Sequence, residues 1–344
     1  MQRREVSIAD IAQVAGVSHT TVSRALRDSP LISVDTRERI HRLAEEMGYT
    51  PNAIAQSLQT RQTYTLGLVV TSIADPFLGD VVKGVEEVAR AAGFSVLLSA
   101  SHNDPEQEMA IIETFHRRRV DGILVASSRL TSDYKKRLDR LRVPTVLING
   151  QAEAQDGLLH WVAVDDRAGA QMAVQHLLQL GHRAIGYIGA SSRPRSNRQR
   201  LEGYRRALEA ASIPFDEARV VMAPGIEASD EEDVAAGEAS LPALLACGVT
   251  AIFCYNDMIA VGVQVACREQ GIVIPRDLSV VGFDDIRMAG YVNPPLTTIR
   301  QPKVELGSRA AQLLLDLLDR RPVQDHLLSP VLVHRSSTAP LTGS

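Results

Sequence analysis

The sequence predicts a two-part protein, an all-α helix-turn-helix head followed by a larger α/β domain of two doubly wound parallel-sheet subdomains. Three observations predict it. Residues 1–60 carry short helical patterns and no strand-like run. From Thr65 onward, short β-rich runs alternate with amphipathic helices, the pattern of parallel sheets covered on both faces. Nine such runs are too many for one small sheet.

The length of 344 residues suits two or three domains. With 45% hydrophobic and 23% charged residues, the chain has the composition of an ordinary globular protein. A net charge of -4 gives no general attraction to nucleic acid or to acidic membranes, so any DNA contact must be local. The three cysteines, Cys247, Cys254 and Cys267, lie in apolar surroundings and read as reduced core residues. The polar start, Met1 to Asp10, lacks a signal-peptide core, and no stretch reaches the roughly 18 apolar residues of a membrane span. The expected location is the cytoplasm, with no membrane partner.

In the head, Ser7 and Asp10 form a capping-box pattern, and Ile8, Ile11, Ala12 and Ala15 recur at helical spacing. Gly16-Val17-Ser18 ends that helix and caps the next. Val22, Ala25 and Leu26 make the buried stripe of the second helix. Ile40, Leu43, Ala44 and Met47 make that of a third, which runs from about Val34 to Met47 and ends at Gly48. With Val22 and Leu26 inward, His19 and Ser23 share an outward face, as do Thr20 and Arg24. A helix presented this way can enter the major groove. There Arg24 reaches phosphate or guanine acceptors, and His19 and Thr20 offer hydrogen bonds to base edges. Ser18 and Thr21 are placed for phosphates. Eight Lys/Arg against seven Asp/Glu leave residues 1–61 at only +1, so charge alone does not argue for DNA.

In the larger part, strands are expected at Leu66–Val70, Ser95–Ser99, Gly122–Ala126, Thr145–Ile148, Val162–Val164, Ile185–Ile188, Val220–Met222, Ala251–Cys254 and Ser279–Phe283. Helices are expected at Asp80–Ala92, Arg167–Leu180, Leu201–Ala211 and Met258–Gln270. Ligands of parallel α/β sheets bind beyond the carboxyl ends of the strands. The polar groups at such ends are Asn149, Asn256 and Asp284, with Asp75-Pro76-Phe77-Leu78 after the first strand. Acids beside helix starts also serve as caps, the role expected of Asp166 and Asp257. The basic loop Ser191–Gln199, with Arg193, Arg195 and Arg198, reads as solvated.

Ile8-Ala9-Asp10-Ile11-Ala12, Ala15-Gly16-Val17-Ser18 and Thr21-Val22-Ser23-Arg24 resemble the head of the LacI–GalR repressor family. So do Thr36-Arg37-Glu38-Arg39-Ile40 and Gly48-Tyr49-Thr50-Pro51-Asn52-Ala53-Ile54-Ala55. The resemblance covers nearly the whole chain in order. It implies a head at 1–50, a hinge helix and linker at 51–62, and an effector-binding and dimerisation domain at 63–344 that is similar to periplasmic sugar-binding proteins. The subdomains are expected at about 63–161 plus 292–321 and about 162–291 plus 322–340. By this resemblance His19 and Thr20 read bases, Arg24 is a common polar contact, and the hinge places Asn52 and Leu58 on the minor groove, Leu58 as a wedge. In the effector domain Phe77 and Leu78 form an apolar wall. Arg200 grips a hydroxyl or anionic group, Asn256 donates and accepts, Asp284 accepts from hydroxyls, and Gln301 lies at a crossover. Asn149 stands where many members carry Asp, and Ser196 lies in a loop that aligns in more than one way. The implied partners are double-stranded operator DNA and a small effector, a sugar or sugar derivative, with a nucleobase corepressor as the alternative. The implied assembly is a homodimer. No cofactor or metal is implied.

Two rival classes fit worse. An enzyme has no Ser/His/Asp set, metal spacing or phosphate loop to build on, and Asp284-Asp285 alternate across a strand. A transport receptor would need an export signal and would not carry the head.

Overall fold

The structure is a computed structural model that describes residues 6–49, 62–126, 137, 140–150, 159–223 and 230–341. The chain forms two compact units, Met1–Thr63 and Tyr64–Ser344.

The first unit holds α1 (Ile8–Ala15), α2 (His19–Ala25) and α3 (Val34–Glu46). Its boundaries are set locally. The Ser7 hydroxyl accepts from the Asp10 amide and the Asp10 carboxylate accepts from the Ser7 amide, satisfying helix-start donors reciprocally. Gly16 ends α1 at φ 64, a left-handed turn that a Cβ would disfavour. Ser18 caps α2. Ile11, Val22 and Ile40, one from each helix, are fully buried together and hold the three in one small core.

The second unit has two six-stranded sheets. The first lobe contains β1 (Thr65–Val70), α4 (Pro76–Ala91), β2 (Ser95–Ala100), α5 (Pro105–Arg117), β3 (Gly122–Ala126), β4 (Thr145–Ile148) and β5 (Leu159–Val164). The second contains α6 (Asp166–Gln179), β6 (Ile185–Ala190), α7 (Pro194–Ala210), β7 (Val220–Ala223), α8 (Asp230–Ala246), β8 (Ala251–Cys254), α9 (Asp257–Glu269), β9 (Ser279–Asp284) and β10 (Thr297–Arg300). The chain then returns through α10 (Lys303–Leu318) and β11 (His326–Leu328) to the first lobe and ends with β12 (Val331–Val333) in the second. The strand orders are β11-β5-β4-β3-β1-β2 and β12-β10-β9-β8-β6-β7, parallel except for β12 against β10. Every residue of β3, β6 and β9 is buried, as helices on both faces require.

The crossings between lobes differ from the expected boundaries. A cut at 162 would split β5, which pairs with β4 from Leu159 onward. β10 lies along β9 in the second sheet, and β11 along β5 in the first, so the 292–321 and 322–340 segments each divide between lobes. These short strands fit either sheet by composition; their hydrogen-bonded neighbour decides. The loop expected at Ser191–Gln199 is mostly helix, because α7 begins at Pro194. α4 likewise begins at Pro76, with Asp75 as its cap.

Close helix contact stiffens the first lobe. α4 and α10 touch backbone to backbone: a Cβ on Gly307 would overlap the Val81 carbonyl oxygen, and one on Gly84 the Val304 carbonyl oxygen. No described helix is long and apolar enough to cross a membrane.

Candidate functional site

In the head, His19, Thr20 and Arg24 are exposed on α2, and no described side chain pairs with Arg24. Ser18 and Thr21 are occupied locally: the Ser18 hydroxyl accepts from the Thr21 amide at 3.1 Å and lies 2.8 Å from Thr21 Oγ1. They fix the helix start and keep only their remaining hydrogen-bond capacity for phosphate. Ser23 is held by Arg27, whose Nη2 donates to its hydroxyl at 2.8 Å and whose Nε donates to its carbonyl at 2.9 Å. Arg27 was not singled out from sequence, although its position four residues past Ser23 places both on one helix face. Asn52 and Leu58 lie outside the described residues.

In the second unit a cavity opens between the two lobes, the place where small-molecule sites commonly lie. All eight residues expected around an effector line it: Phe77, Leu78, Asn149, Ser196, Arg200, Asn256, Asp284 and Gln301. Thr71, Asp75, Asn103, Arg193 and Tyr255 line it as well.

Arg200 is the centre of the site. Its Nε donates to Asp166 Oδ1 at 2.9 Å and its Nη1 to the Tyr255 carbonyl at 2.5 Å, with Asp284 Oδ1 3.7 Å away. The guanidinium lies between the rings of Phe283 and Tyr255, 3.7 and 4.2 Å from their centroids. Burial opposes its charge, but Tyr255, Asp166 and Asp284 together raise its pKa above the ordinary arginine value. Asp166 is therefore not a cap: Asp165 caps α6, accepting from the Ala168 amide. Asp257 is not one either. It is fully buried and accepts from Thr298 Oγ1 and the Ile286 amide, while Asn256 caps α9.

Asp284 is buried, and burial raises its carboxyl pKa to about 6, with Asp75 adding to the rise and Arg200, Gln301 and Lys303 opposing it. Gln301 Nε2 donates to Asp284 Oδ1 at 2.5 Å, whereas Gln301 Oε1 is buried with no partner among the described residues. Gln301 lines the cavity, and this buried oxygen is an acceptor left unsatisfied among the described residues. Asn256 has less to offer, since Oδ1 caps Ile259 and Nδ2 donates to Asp233 at 2.6 Å. Asn149 is a turn residue at φ 54; its Oδ1 accepts from the Val164 amide. Ser196 Oγ lies 2.6 Å from Tyr255 Oη.

Arg193 corrects the expectation of a solvated basic loop. Its side chain is 14% exposed; Nη1 contacts both oxygens of Asp233 at 3.1 and 2.9 Å, and Nη2 lies 4.0 Å from Asp75 of the other lobe. Asp75 itself is raised in pKa, chiefly by burial, against the pull of Arg193 and the Phe77 amide. Arg195 Nη1 donates to the Asn149 carbonyl, and Asn103 Nδ2 to the Ser192 carbonyl, so this segment ties the lobes together.

The bacterial lacI-family regulatory protein profile matches residues 7–52, and a periplasmic binding protein-like domain profile matches residues 174–338. The HTH-type transcriptional regulator GalR of Salmonella typhimurium is 38% identical over 338 residues, 97% of this chain and 96% of that relative. The chain belongs to the lacI family.

Other members of the lacI family share its length and fold. The HTH-type transcriptional repressor PurR of Vibrio atlanticus is 32% identical over 97% of this chain and 99% of its own. The lac repressor dimer bound to operator and an anti-inducer matches with a TM-score of 0.85 at 27% identity, covering 98% of this chain and all of that one. A lacI-family regulator from Enterococcus faecium with bound ribose matches at 0.70 and 31% identity, covering 81% of this chain and 100% of its own. In this lacI-family chain Tyr255 and Asn103 were legible by the strand-end rule, since each closely follows a strand. Arg193 follows β6 at the same offset as Asn103 follows β2, but its pairing with Asp233, 40 residues away, was not legible.

Proposed function

We propose that this chain is a transcriptional repressor whose operator affinity is set by an uncharged sugar or sugar derivative held between the two lobes. It acts as a homodimer on double-stranded operator DNA, in the cytoplasm where that DNA is found, with residues 51–62 as the hinge. The observation that carries this reading is the cavity itself, where apolar Phe77 and Leu78 face Arg200, Asp284 and Gln301. Such a mix suits a ring with one apolar face and a rim of hydroxyls.

The charge balance supports an uncharged ligand. Arg193 is paired with Asp233 and Arg200 with Asp166, and Asp75 and Asp284 add two further carboxylates. A phosphate ester would meet arginines already neutralised and an excess of like charge. In a thermal-shift panel of ribose, galactose and cellobiose with the phosphate esters of the monosaccharides, a neutral sugar is expected to raise the melting temperature. Stabilisation by phosphate esters alone would contradict the charge argument.

Asp284 gives the site a pH dependence. Its ionised form accepts hydroxyl hydrogen bonds, and with a pKa of about 6 it is protonated below that pH. Effector affinity is therefore expected to hold above pH 7 and fall about tenfold by pH 5, where protonation must be reversed to bind. Calorimetry at pH 5 and 7.5 checks this; equal affinities would remove Asp284 from the contact set.

For the head, exchanging His19 and Thr20 together should change the preferred operator at about 1–3 kcal/mol per lost base contact and leave effector affinity unchanged. Selection from random duplexes reads the outcome, and an unchanged preferred sequence would exclude both residues from base reading.

A further inference from the structure

We propose that Lys303 is a positioning residue of the effector site: its ammonium, bonded to the carbonyls of Asp284 and Asp285, holds that strained turn and so aims the Asp284 carboxylate into the cleft. The inference rests on the reading of the cleft as the effector site.

Asp284 and Asp285 are consecutive non-glycine residues with positive φ, 110 and 52. Left alone, such a backbone relaxes, and it persists only where the surroundings over-determine it. Four sets of contacts do so here. Lys303 Nζ donates to the Asp284 carbonyl and to the Asp285 carbonyl, each at 2.7 Å. Gln301 Nε2 holds the Asp284 carboxylate, and the Asp285 carboxylate is turned away from it onto Arg300 Nε and Arg335 Nη2, both at 2.6 Å. The Lys303 contact grips both peptide units by their carbonyls, and the Asp257 carboxylate accepts from the Ile286 amide of the second at 2.8 Å. Lys303 is 7% exposed, so a long cationic chain is buried for these two bonds.

The location of Lys303 gives this contact a further consequence. It opens α10, and the close approach of Gly307 and Gly84 fixes α10 to α4. The start of α4 carries Asp75, Phe77 and Leu78, the opposite wall of the cavity. Lys303 therefore ties the helix pair of the first lobe to the end of β9 in the second. Movement of one lobe against the other must either carry the Asp284 turn with it or break the two Lys303 bonds, which makes this cation a coupling point between cleft geometry and lobe arrangement.

The test reads Asp284 in the whole, ligand-free protein. The groups facing its carboxyl are Arg200 from α7, Asp75 ahead of α4, Asp257 from α9, and Gln301 and Lys303 at the crossover into α10. With aspartate carboxyls labelled with carbon-13 and Asp284 assigned by Asp284→Asn, the wild-type carboxyl titrates at about 6. In Lys303→Met the turn relaxes, the carboxyl leaves its buried place for water, and the midpoint falls by about one unit, tenfold in proton affinity. Lys303→Arg keeps the charge and the donors and stays near the wild-type value. A midpoint that rises in Lys303→Met means that Lys303 is only a nearby charge, and an unchanged midpoint means that it is only packing; either result overturns the proposal. If Lys303→Met does not fold, Lys303→Gln, neutral and too short to reach both carbonyls, is read the same way. Failure of every sugar to bind would count against the effector reading and would leave this titration standing as a separate result.

Discussion

Arg200→Leu is expected to lose effector binding by a hundredfold or more and to cost about 3–5 kcal/mol in stability, the usual consequence of removing one partner from a buried ion pair. The physical cause is the arrangement around the guanidinium. Its side chain is 4% exposed, Asp166 is 5% exposed, and Asp284 stands beside both. Without Arg200, Asp166 keeps a buried charge with no cation in contact. Arg200→Lys separates the two effects. It restores a positive charge but neither the planar fork that reaches Asp166 and the Tyr255 carbonyl together nor the stacking between Phe283 and Tyr255. Part of the stability should return while effector binding stays weak. Chemical denaturation and calorimetry report the two quantities, and a stable Arg200→Leu protein with wild-type effector affinity would refute the assignment of the site.

Gly307→Val is expected to destabilise the second unit by about 3 kcal/mol, at the upper end of overpacking effects, because the added side chain meets backbone and not a movable side chain. α10 must lift off α4. That shifts the wall made by Phe77 and Leu78, so effector affinity should fall together with the melting temperature, while the head keeps its own fold because its core is separate. A thermal scan that records the two units by separate probes checks this. An unchanged melting temperature would mean that the two helices are not held in contact in solution.

What could be read from the sequence and what could not divide along local and non-local lines. The head was legible because its signals are local: Ser7 with Asp10, Gly16 at positive φ and Ser18 all act within four residues of their targets. The cavity residues were legible because strand ends point to one place in a parallel sheet: Asp284 ends β9, Asn256 closely follows β8, and Phe77 lies past the end of β1. Adjacent acids were not. Nothing in Val164-Asp165-Asp166 says that the first aspartate caps and the second meets an arginine 34 residues on. The same holds at Asn256-Asp257, where the asparagine caps and the aspartate is drawn to Thr298. Arg193 looked like a surface cation until folding placed Asp233 and Asp75 on either side of it. The last crossings were obscured because β10, β11 and β12 have three or four residues each, too few to carry a periodic pattern.

On the proposed function, one small molecule in the cleft and operator DNA on the head share a single free-energy balance. The direct measurement is operator affinity at fixed salt with and without the sugar that stabilises the protein, paired with sugar affinity with and without operator. Each ligand is expected to change the other's dissociation constant by the same factor, about fivefold to tenfold or more, as linkage requires, and Asp284→Ala is expected to remove the coupling while leaving operator binding in the absence of sugar intact. Operator affinity that stays the same at saturating sugar would contradict it.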